Sequence, residues 1–317
     1  MIMLNEMYDL TIEQAEEEME TKIQHVPVMV SEVLKYLNPK SGQCILDCTI
    51  GMAGHALAIL KQVGSNGHLI GLDRDAESLV KASETLRQFS QQCSLIHEDY
   101  RNVDNVLNQL GIQEIDGMLF DLGISSFQFN APERGFSIKL NGPLDMRMDK
   151  DSYISAYDLV NSLSEKEISS ILKNFGQERW HHRIAHALVT QRSKYPIEST
   201  HDLSEIVLRA IPFRHKRQKI HPATRTFQAF RIAVNRELEA LEVALIKSIE
   251  YLKIGGRICV ISFHSLEDRI VKEKFRQFAK VGRIKLILSK PLSPQEEEIT
   301  SNPRSRSARL RVAERIQ

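Results

Sequence analysis

LDCTIGMAGHALAIL, residues 46–60, runs from an apolar segment ending in an acid, through a turn broken by glycine, into an apolar segment with helical spacing. Strand, turn and helix in that order form the unit from which doubly wound α/β sheets are built, and the turn is where such sheets hold nucleotide-like ligands. Its small residues are Gly51, Ala53 and Gly54. The dinucleotide spacing G-x-G-x-x-G therefore fails after its first glycine, and no Lys-Ser/Thr pair follows to make a P-loop. The turn admits close backbone approach but offers no phosphate cradle.

Outward from this unit the alternation continues. QCILDCT, GHLIGLDRD, CSLIHEDY and DGMLFDLG are short apolar, β-branched runs, and HALAILKQV and AESLVKASETLRQF have helical spacing. A parallel sheet with helices on both faces is expected. From Pro132 to His221 the alternation stops, and SAYDLVNSLSEKEISSILKNFG and QERWHHRIAHALVTQRS are amphipathic and strand-poor. This length is too great for a loop, so an inserted helical domain is expected. A long helix over Thr226–Leu252, free of Gly and Pro, then leads to the strand GGRICVISFHS, the helix LEDRIVKEKFRQFA and a last strand RIKLILS. The expected organisation is an acidic mobile tail at 1–22, an α/β domain at 23–131 and 222–317, and the helical insert at 132–221.

With 317 residues, 42% hydrophobic and 26% charged, the chain has the composition of a soluble globular protein. It contains no apolar run long enough to span a membrane, and seven acids precede its first lysine, the opposite of a secretory leader. A soluble, cytoplasmic protein is expected. Cys44, Cys48, Cys93 and Cys259 lie in or beside strand-like runs without paired spacing, so they read as reduced core thiols and no metal site is expected. The net charge of +1 hides two runs without acids: Ile206–Arg236 with eight Lys/Arg, and NPRSRSARLR, residues 302–311, with four Arg. Each is either a solvated helix face or part of a phosphate-binding surface.

Four strand-like runs end in acids: Asp47, Asp73, Asp99 beside Tyr100, and Asp121. In an open parallel sheet these ends face one ligand crevice. Asp73 stands 19 residues beyond Gly54, where a strand-end carboxylate accepts both hydroxyls of a ribose. Asp99, Tyr100 and Asp121 are then placed for an adenine edge and face. Ribose and adenine without phosphates indicate S-adenosylmethionine. The plainer readings are an ordinary strand-to-helix connection, with Asp73 capping the next helix.

HVPVM, the glycine loop with GLDRD, DLGISSFQ, RGFS, GPLDMRMD, GQERWHHRIA, HPATRTFQAFRIAVNREL, GGRICVISFHSLEDRIVK and NPRSRSARLRVAE together resemble the RsmH (MraW) family, in the same order from His25 to Glu314. The resemblance implies an S-adenosylmethionine-dependent methyltransferase with a Rossmann-like sheet, an inserted helical substrate domain and, as substrate, the exocyclic N4 of a cytidine in the decoding region of 16S rRNA. It implies cofactor contacts at Ala53, Gly54, His55, Asp73, Tyr100, Asp121 and Gln128, to which the residue reading adds Gly51. The chain departs from the family at Ala53, where a glycine is usual, and at Phe127, where SSPQ is usual. Ala53 is a small perturbation provided its φ is negative.

Methylating an amine whose lone pair is delocalised requires in-line placement and acceptors for its N–H groups. Asp121, Ser125 and Ser126 are candidate acceptors, although the D/N/S-P-P-Y/F/W motif is absent. His264 is a candidate at the border of the target base; the alternative is a helix cap, with Ser265 as the capping residue. Asp145 and Asp149 flank Arg147 as either a salt-bridged hinge or catalytic groups, and Trp180, His181 and His182 as either a stacking platform or an aromatic anchor. Arg209, Arg214, Lys216, Arg217, Lys219 and Arg225, with Arg304, Arg306 and Arg309, are the candidate contacts to RNA phosphates. The expected partner is 16S rRNA or the small ribosomal subunit. Competing readings are a NAD-linked oxidoreductase, a non-catalytic RNA-binding or assembly factor with a vestigial pocket, and a methyltransferase acting on protein or small molecules.

Overall fold

A computed structural model of the chain describes residues 27–212 and 220–317; the tail at 1–22 and Arg214, Lys216, Arg217 and Lys219 lie outside the described residues. Seven strands form one sheet: β1 Cys44–Asp47, β2 His68–Asp73, β3 Cys93–His97, β4 Ile115–Asp121, β5 Leu252–Ser262, β6 Ile284–Leu286 and β7 Arg309–Arg315. Their order is β3-β2-β1-β4-β5-β7-β6, parallel except where β7 pairs antiparallel with β5 and β6. The chain steps from β1 outward to β3 and then returns to β1's other side with β4. The crevice at a sheet's ligand end opens where strand order reverses, here at β1.

Successive residues of a strand face opposite sides, and the core follows that period. Ile45, Leu69, Leu119 and Ile261 pack on one face beneath α1 Val30–Leu37, α2 Gly54–Val63 and α3 Ala76–Thr85. Leu46, Ile70, Met118 and Val260 pack on the other, beneath α4 Val103–Gln109, α11 Glu237–Tyr251 and α12 Ser265–Lys280. Between β4 and β5 run α5 Ser126–Asn130, α6 Ala156–Ser162, α7 Glu165–Gly176, α8 His181–Arg192, α9 Thr200–Ala210 and α10 Thr224–Asn235. The last five share a separate apolar cluster that includes Val160, Leu172, Ile184, Val207 and Phe230.

Three local expectations change. The single helix expected over Thr226–Leu252 is two, α10 and α11, divided at Arg236 with φ +50°. Packing explains the break: Phe227 and Phe230 of α10 belong to the helical cluster, whereas Leu241 and Leu245 of α11 belong to the sheet's. The cluster of the insert thus runs past residue 221. RIKLILS is not the last strand, since β7 follows and inserts between β5 and β6. Its Leu310 and Val312 are buried on one face of the sheet, and the intervening Arg311, itself buried, disguised the strand. Helix α4 completes the unit between β3 and β4, and α13 Glu296–Ser301 precedes β7.

Candidate active site

The sheet register builds the site. Asp47 pairs with Gly71 on β2 and Leu119 on β4, so Asp73 and Asp121 each stand two residues past it on the flanking strands. Asp47 is 1% exposed, lies beneath the turn, and accepts from the Thr49 amide at 3.1 Å. Burial pushes its carboxyl up to about 7, with the Thr49 bond opposing and the Asp73 charge adding. It is the foundation of the turn and does not line the crevice.

The crevice, about 1160 Å³ counted out to its open mouth, brings together, of the expected residues, Gly51, Gly54, His55, Asp73, Asp99, Tyr100, Asp121, Ser125, Ser126, Gln128 and Arg304. Asp73 accepts from the Gly51 amide through Oδ2 and from the Asp75 amide through Oδ1, each at 2.9 Å. Burial raises its carboxyl to about 6 against the pull of those amides. It does not cap α3; Asp75 does, accepting from the Glu77 amide at 3.1 Å. Tyr100 lies edge-on to Phe120 with ring centroids 5.7 Å apart, and burial pushes its phenol up. Asp99 is committed to Arg74 at 3.0 Å and to the Arg101 amide at 2.8 Å.

Across β1, Asp121 is short of partners. Its amide donates to Thr49 Oγ1 at 2.6 Å, but its side-chain Oδ1 is buried without a hydrogen-bond partner, and Oδ2 lies 3.6 Å from His55 Nδ1. His55 Nε2 donates to the Val28 carbonyl at 2.9 Å, which directs the other ring nitrogen at the acid. Burial, then the charges of Asp47 and Glu267, push the Asp121 carboxyl well above the usual range. Ser125 caps α5: its Oγ accepts from the Gln128 amide at 3.2 Å, while Gln128 Oε1 accepts from the Ser125 amide at 3.0 Å. Phe127 leaves Gln128 buried in that capping arrangement, its Nε2 donating to Asp75 at 2.7 Å.

The two glycines of the turn have different duties. A Cβ on Gly51, at φ +49°, meets nothing nearer than 3.9 Å, so this is the open side toward a ligand. On Gly54 a Cβ lies 2.6 Å from the Pro27 ring, so that glycine serves packing against the segment before α1. Ala53 has φ +66° and is fully buried, so the condition of a negative φ does not hold, and its methyl sits in a left-handed backbone.

His264 does not line the crevice. It, not Ser265, caps α12: Nδ1 accepts from the Glu267 amide at 3.3 Å, and Nε2 lies 3.2 Å from Glu267 Oε1. An imidazole that accepts through Nδ1 can take the place of a serine oxygen at a helix start. Glu267 and Glu237 line the crevice floor and escaped the sequence reading. Burial opposes ionisation of Glu267, yet His264, Arg231 and the Phe263 amide hold its carboxyl below the usual range. Glu237 is bound by Arg231 through two bonds of 2.9 Å. Among the described residues Glu237, His264 and Glu267 form a group of possible metal ligands within 4.8 Å of one another, already engaged in these contacts.

Among the described residues, five of the eight basic side chains in the two runs pair with acids. Arg209 pairs with Glu205, Arg231 with Glu237 and Arg236 with Glu239. Arg309, half exposed, and the buried Arg311 both bind Asp268, at 3.2 and 2.7 Å. Arg304 lies 4.9 Å from the Phe129 ring and donates to Asn130 at the crevice mouth. Arg225 and Arg306 are exposed away from the crevice. Asp145 grips Arg147 through two bonds of 2.8 and 2.7 Å, a local pair, and Trp180 packs on the helical cluster with Arg179 and Arg183 over its ring.

The crevice suits a ligand that is cationic and carries a ribose. Gly51 leaves room above the turn, Asp73 presents a fixed carboxylate, Asp121 holds an unused acceptor, and Glu267 and the Arg231-paired Glu237 complete the lining. A Rossmann-like parallel sheet with this site at its switch point defines an S-adenosylmethionine-dependent methyltransferase. The family model described as the MraW methylase family matches residues 22–316, and the chain belongs to that family. It is 44% identical over 309 residues to a protein of Halothermothrix orenii, covering 93% of this chain and 99% of that one. A protein of Pelobacter propionicus is 46% identical, covering 92% and 99%, and one of Thermotoga neapolitana 49%, covering 92% and 96%. All three relatives carry the name ribosomal RNA small subunit methyltransferase H.

Proposed function

We propose that this chain methylates the exocyclic amine (N4) of a cytidine in the decoding region of 16S rRNA. Near full-length similarity to relatives named as small-subunit ribosomal RNA methyltransferases carries the reading. A crevice that sets an unused buried acceptor beside a ribose-type carboxylate supports it.

S-adenosylmethionine supplies a methyl group made electrophilic by its sulfonium. Asp73 accepts the ribose hydroxyls, Tyr100 borders the adenine, and the Gly51–His55 turn and Gln128 shape the remaining wall. Asp121 Oδ1, with the Ser125 and Ser126 hydroxyls, accepts the N–H groups of the target amine and favours a tetrahedral nitrogen aimed at the methyl carbon. Methyl transfer from sulfur to nitrogen would leave a surplus proton on the amine, and Asp121 Oδ1, buried without a hydrogen-bond partner, is the group placed to take it. His264 acts on the wall by holding Glu267. Charge disappears from sulfur during transfer, so an apolar, closed site favours the transition state.

The helices from 132 through Asn235 form the RNA-recognition unit, joined to the α/β part at 23–131 and 237–317. Reaching the amine of a paired cytidine requires extruding the base, a cost of roughly a few kcal/mol offset by backbone contacts. Arg225, Arg304 and Arg306 are the described candidates for those contacts. No helix among the described residues is long and apolar enough to cross a membrane, and the proposed ribosomal substrate supports a cytoplasmic location. Incubation of small-subunit particles with labelled S-adenosylmethionine, followed by nucleoside analysis, tests the reading. N4-methylcytidine is expected. Tight RNA binding without incorporation indicates an assembly factor, and label in protein or another nucleoside contradicts the assignment.

A further inference from the structure

The two residues after Asp73, Arg74 at the crevice wall and Asp75 behind it, are both tied to the same loop of the helical layer. Asp75 pairs with Arg134 at 2.9 Å, and both side chains are 2% exposed. The other nitrogen of that guanidinium donates to the carbonyls of Arg147 and Met148 at 3.1 and 2.7 Å. From the opposite side Arg74 donates to the Asn235 carbonyl at 3.0 Å. The Asn235 amide donates to the Met146 carbonyl and accepts from the Met148 amide, both at 2.8 Å. Loop 146–148 is thus held at each of its residues by Arg134 or Asn235, which are in turn bonded to Asp75 and Arg74, the two residues after the ribose-type acid. Met146 has φ +62°, a strained backbone for a methionine that persists only when its surroundings over-determine it.

The chain of bonds runs from the ligand side outward. Asp73 Oδ1 accepts from the Asp75 amide at 2.9 Å, so fixing that carboxylate fixes the backbone of Asp75. Asp75 Oδ2 then takes Gln128 Nε2 at 2.7 Å and Arg134 at 2.9 Å. Gln128 holds the Ser125 amide, and Arg134 holds the loop of the helical layer. A buried ion pair is replaceable by apolar packing where only stability is at stake. Here one guanidinium joins the end of β2, the start of α3 through Glu77, and loop 146–148.

We propose that Arg134 couples cofactor binding to substrate docking, so that a ligand on Asp73 and an RNA on the helices each strengthen the binding of the other. This rests on the reading of the helical layer as the RNA-recognition unit. Arg134 touches neither ligand and is a positioning residue. Coupling between two sites is reciprocal, so the same factor appears whichever ligand is titrated.

Titration of S-adenosylhomocysteine into the full chain, with and without saturating small-subunit particles, reads the coupling as a ratio of dissociation constants. The unaltered chain is expected to give about tenfold, within the usual range for coupled sites. Arg134→Lys keeps a cation beside Asp75 but cannot span both carbonyls, and its ratio is expected to fall below about twofold with the particle-free constant changed less than about threefold. Asn235→Ser releases the loop from its other side without touching the buried pair, and is expected to lower the ratio as well. A merely structural role reduces the folded fraction and leaves the ratio of the folded molecules unchanged. Full coupling in both variants, or none in an unaltered chain that binds both ligands, overturns the proposal. Methylation of the particles by that same unaltered chain leaves the functional reading standing, whereas failure to bind particles at all removes both.

Discussion

Asp73 and Asp121 stand at equivalent register on either side of β1, yet their surroundings differ. Each Asp73 oxygen receives a main-chain amide, so its direction is set before a ligand arrives. Asp121 has a buried oxygen with no hydrogen-bond partner and a histidine at 3.6 Å from the other. Burial raises both carboxyls, but the amides restrain Asp73 to about 6 while neighbouring acids push Asp121 further. The difference separates holding from reacting. A carboxylate braced by amides is a fixed acceptor for hydroxyls, and one left short of partners can engage an amine and take its proton.

The largest effect that sharpens this contrast is expected at Asp73. Replacing it with alanine removes bonds from two hydroxyls to a charged group, a loss of about 3 kcal/mol, or about a hundredfold in S-adenosylhomocysteine affinity by calorimetry. A loss below about threefold removes Asp73 as the ribose acceptor. Its titration gives the same test without mutation. The ionised form binds, and with a free-protein value of about 6 the affinity falls as pH drops through that value. At pH 5 the loss is about tenfold relative to pH 7.5, and it persists in Asp121→Asn but disappears in Asp73→Asn.

A second effect concerns the acid floor on the Asp121 side. Arg231→Ala leaves Glu237 buried and unpaired, a cost of roughly 3 kcal/mol that lowers the melting temperature by roughly 6–12 °C. An unchanged melting temperature would mean that Glu237 finds another partner. The smallest effect lies in the turn between the two acids. Ala53→Gly relieves about 1 kcal/mol of left-handed backbone and loses about 0.8 kcal/mol of buried methyl, so stability changes little and cofactor affinity stays equal or tightens slightly. A clear weakening in titration breaks the account of the turn.

The strand-end acids were legible because the α/β unit converts sequence spacing directly into position: a strand closing in Asp73 must end beside the one closing in Asp47. Side-chain partners are not encoded that way. Arg311 meets Asp268 from 43 positions away, and Arg231 folds onto Glu237 just past the acid-free run, so the described part of those runs is less cationic than its sequence suggests. The break at Arg236 was hidden because it has no Gly or Pro; two packing surfaces impose it. Ser265 was the expected cap, and one residue's difference in helix start gives that duty to His264. The duty of Gly54 depends on Pro27, 27 positions earlier, beyond any local pattern. Arg134 was visible only as part of RGFS, since its side-chain partners come from two distant segments, 75–77 and 147–148.

Single-turnover transfer from labelled S-adenosylmethionine to small-subunit particles by Asp121→Asn, beside the unaltered chain, tests the division of labour between the two carboxylates most directly. The predicted result is a transfer rate about a hundredfold lower with S-adenosylhomocysteine affinity within about threefold of the unaltered chain. An unchanged rate, or a loss accounted for wholly by weaker cofactor binding, contradicts it.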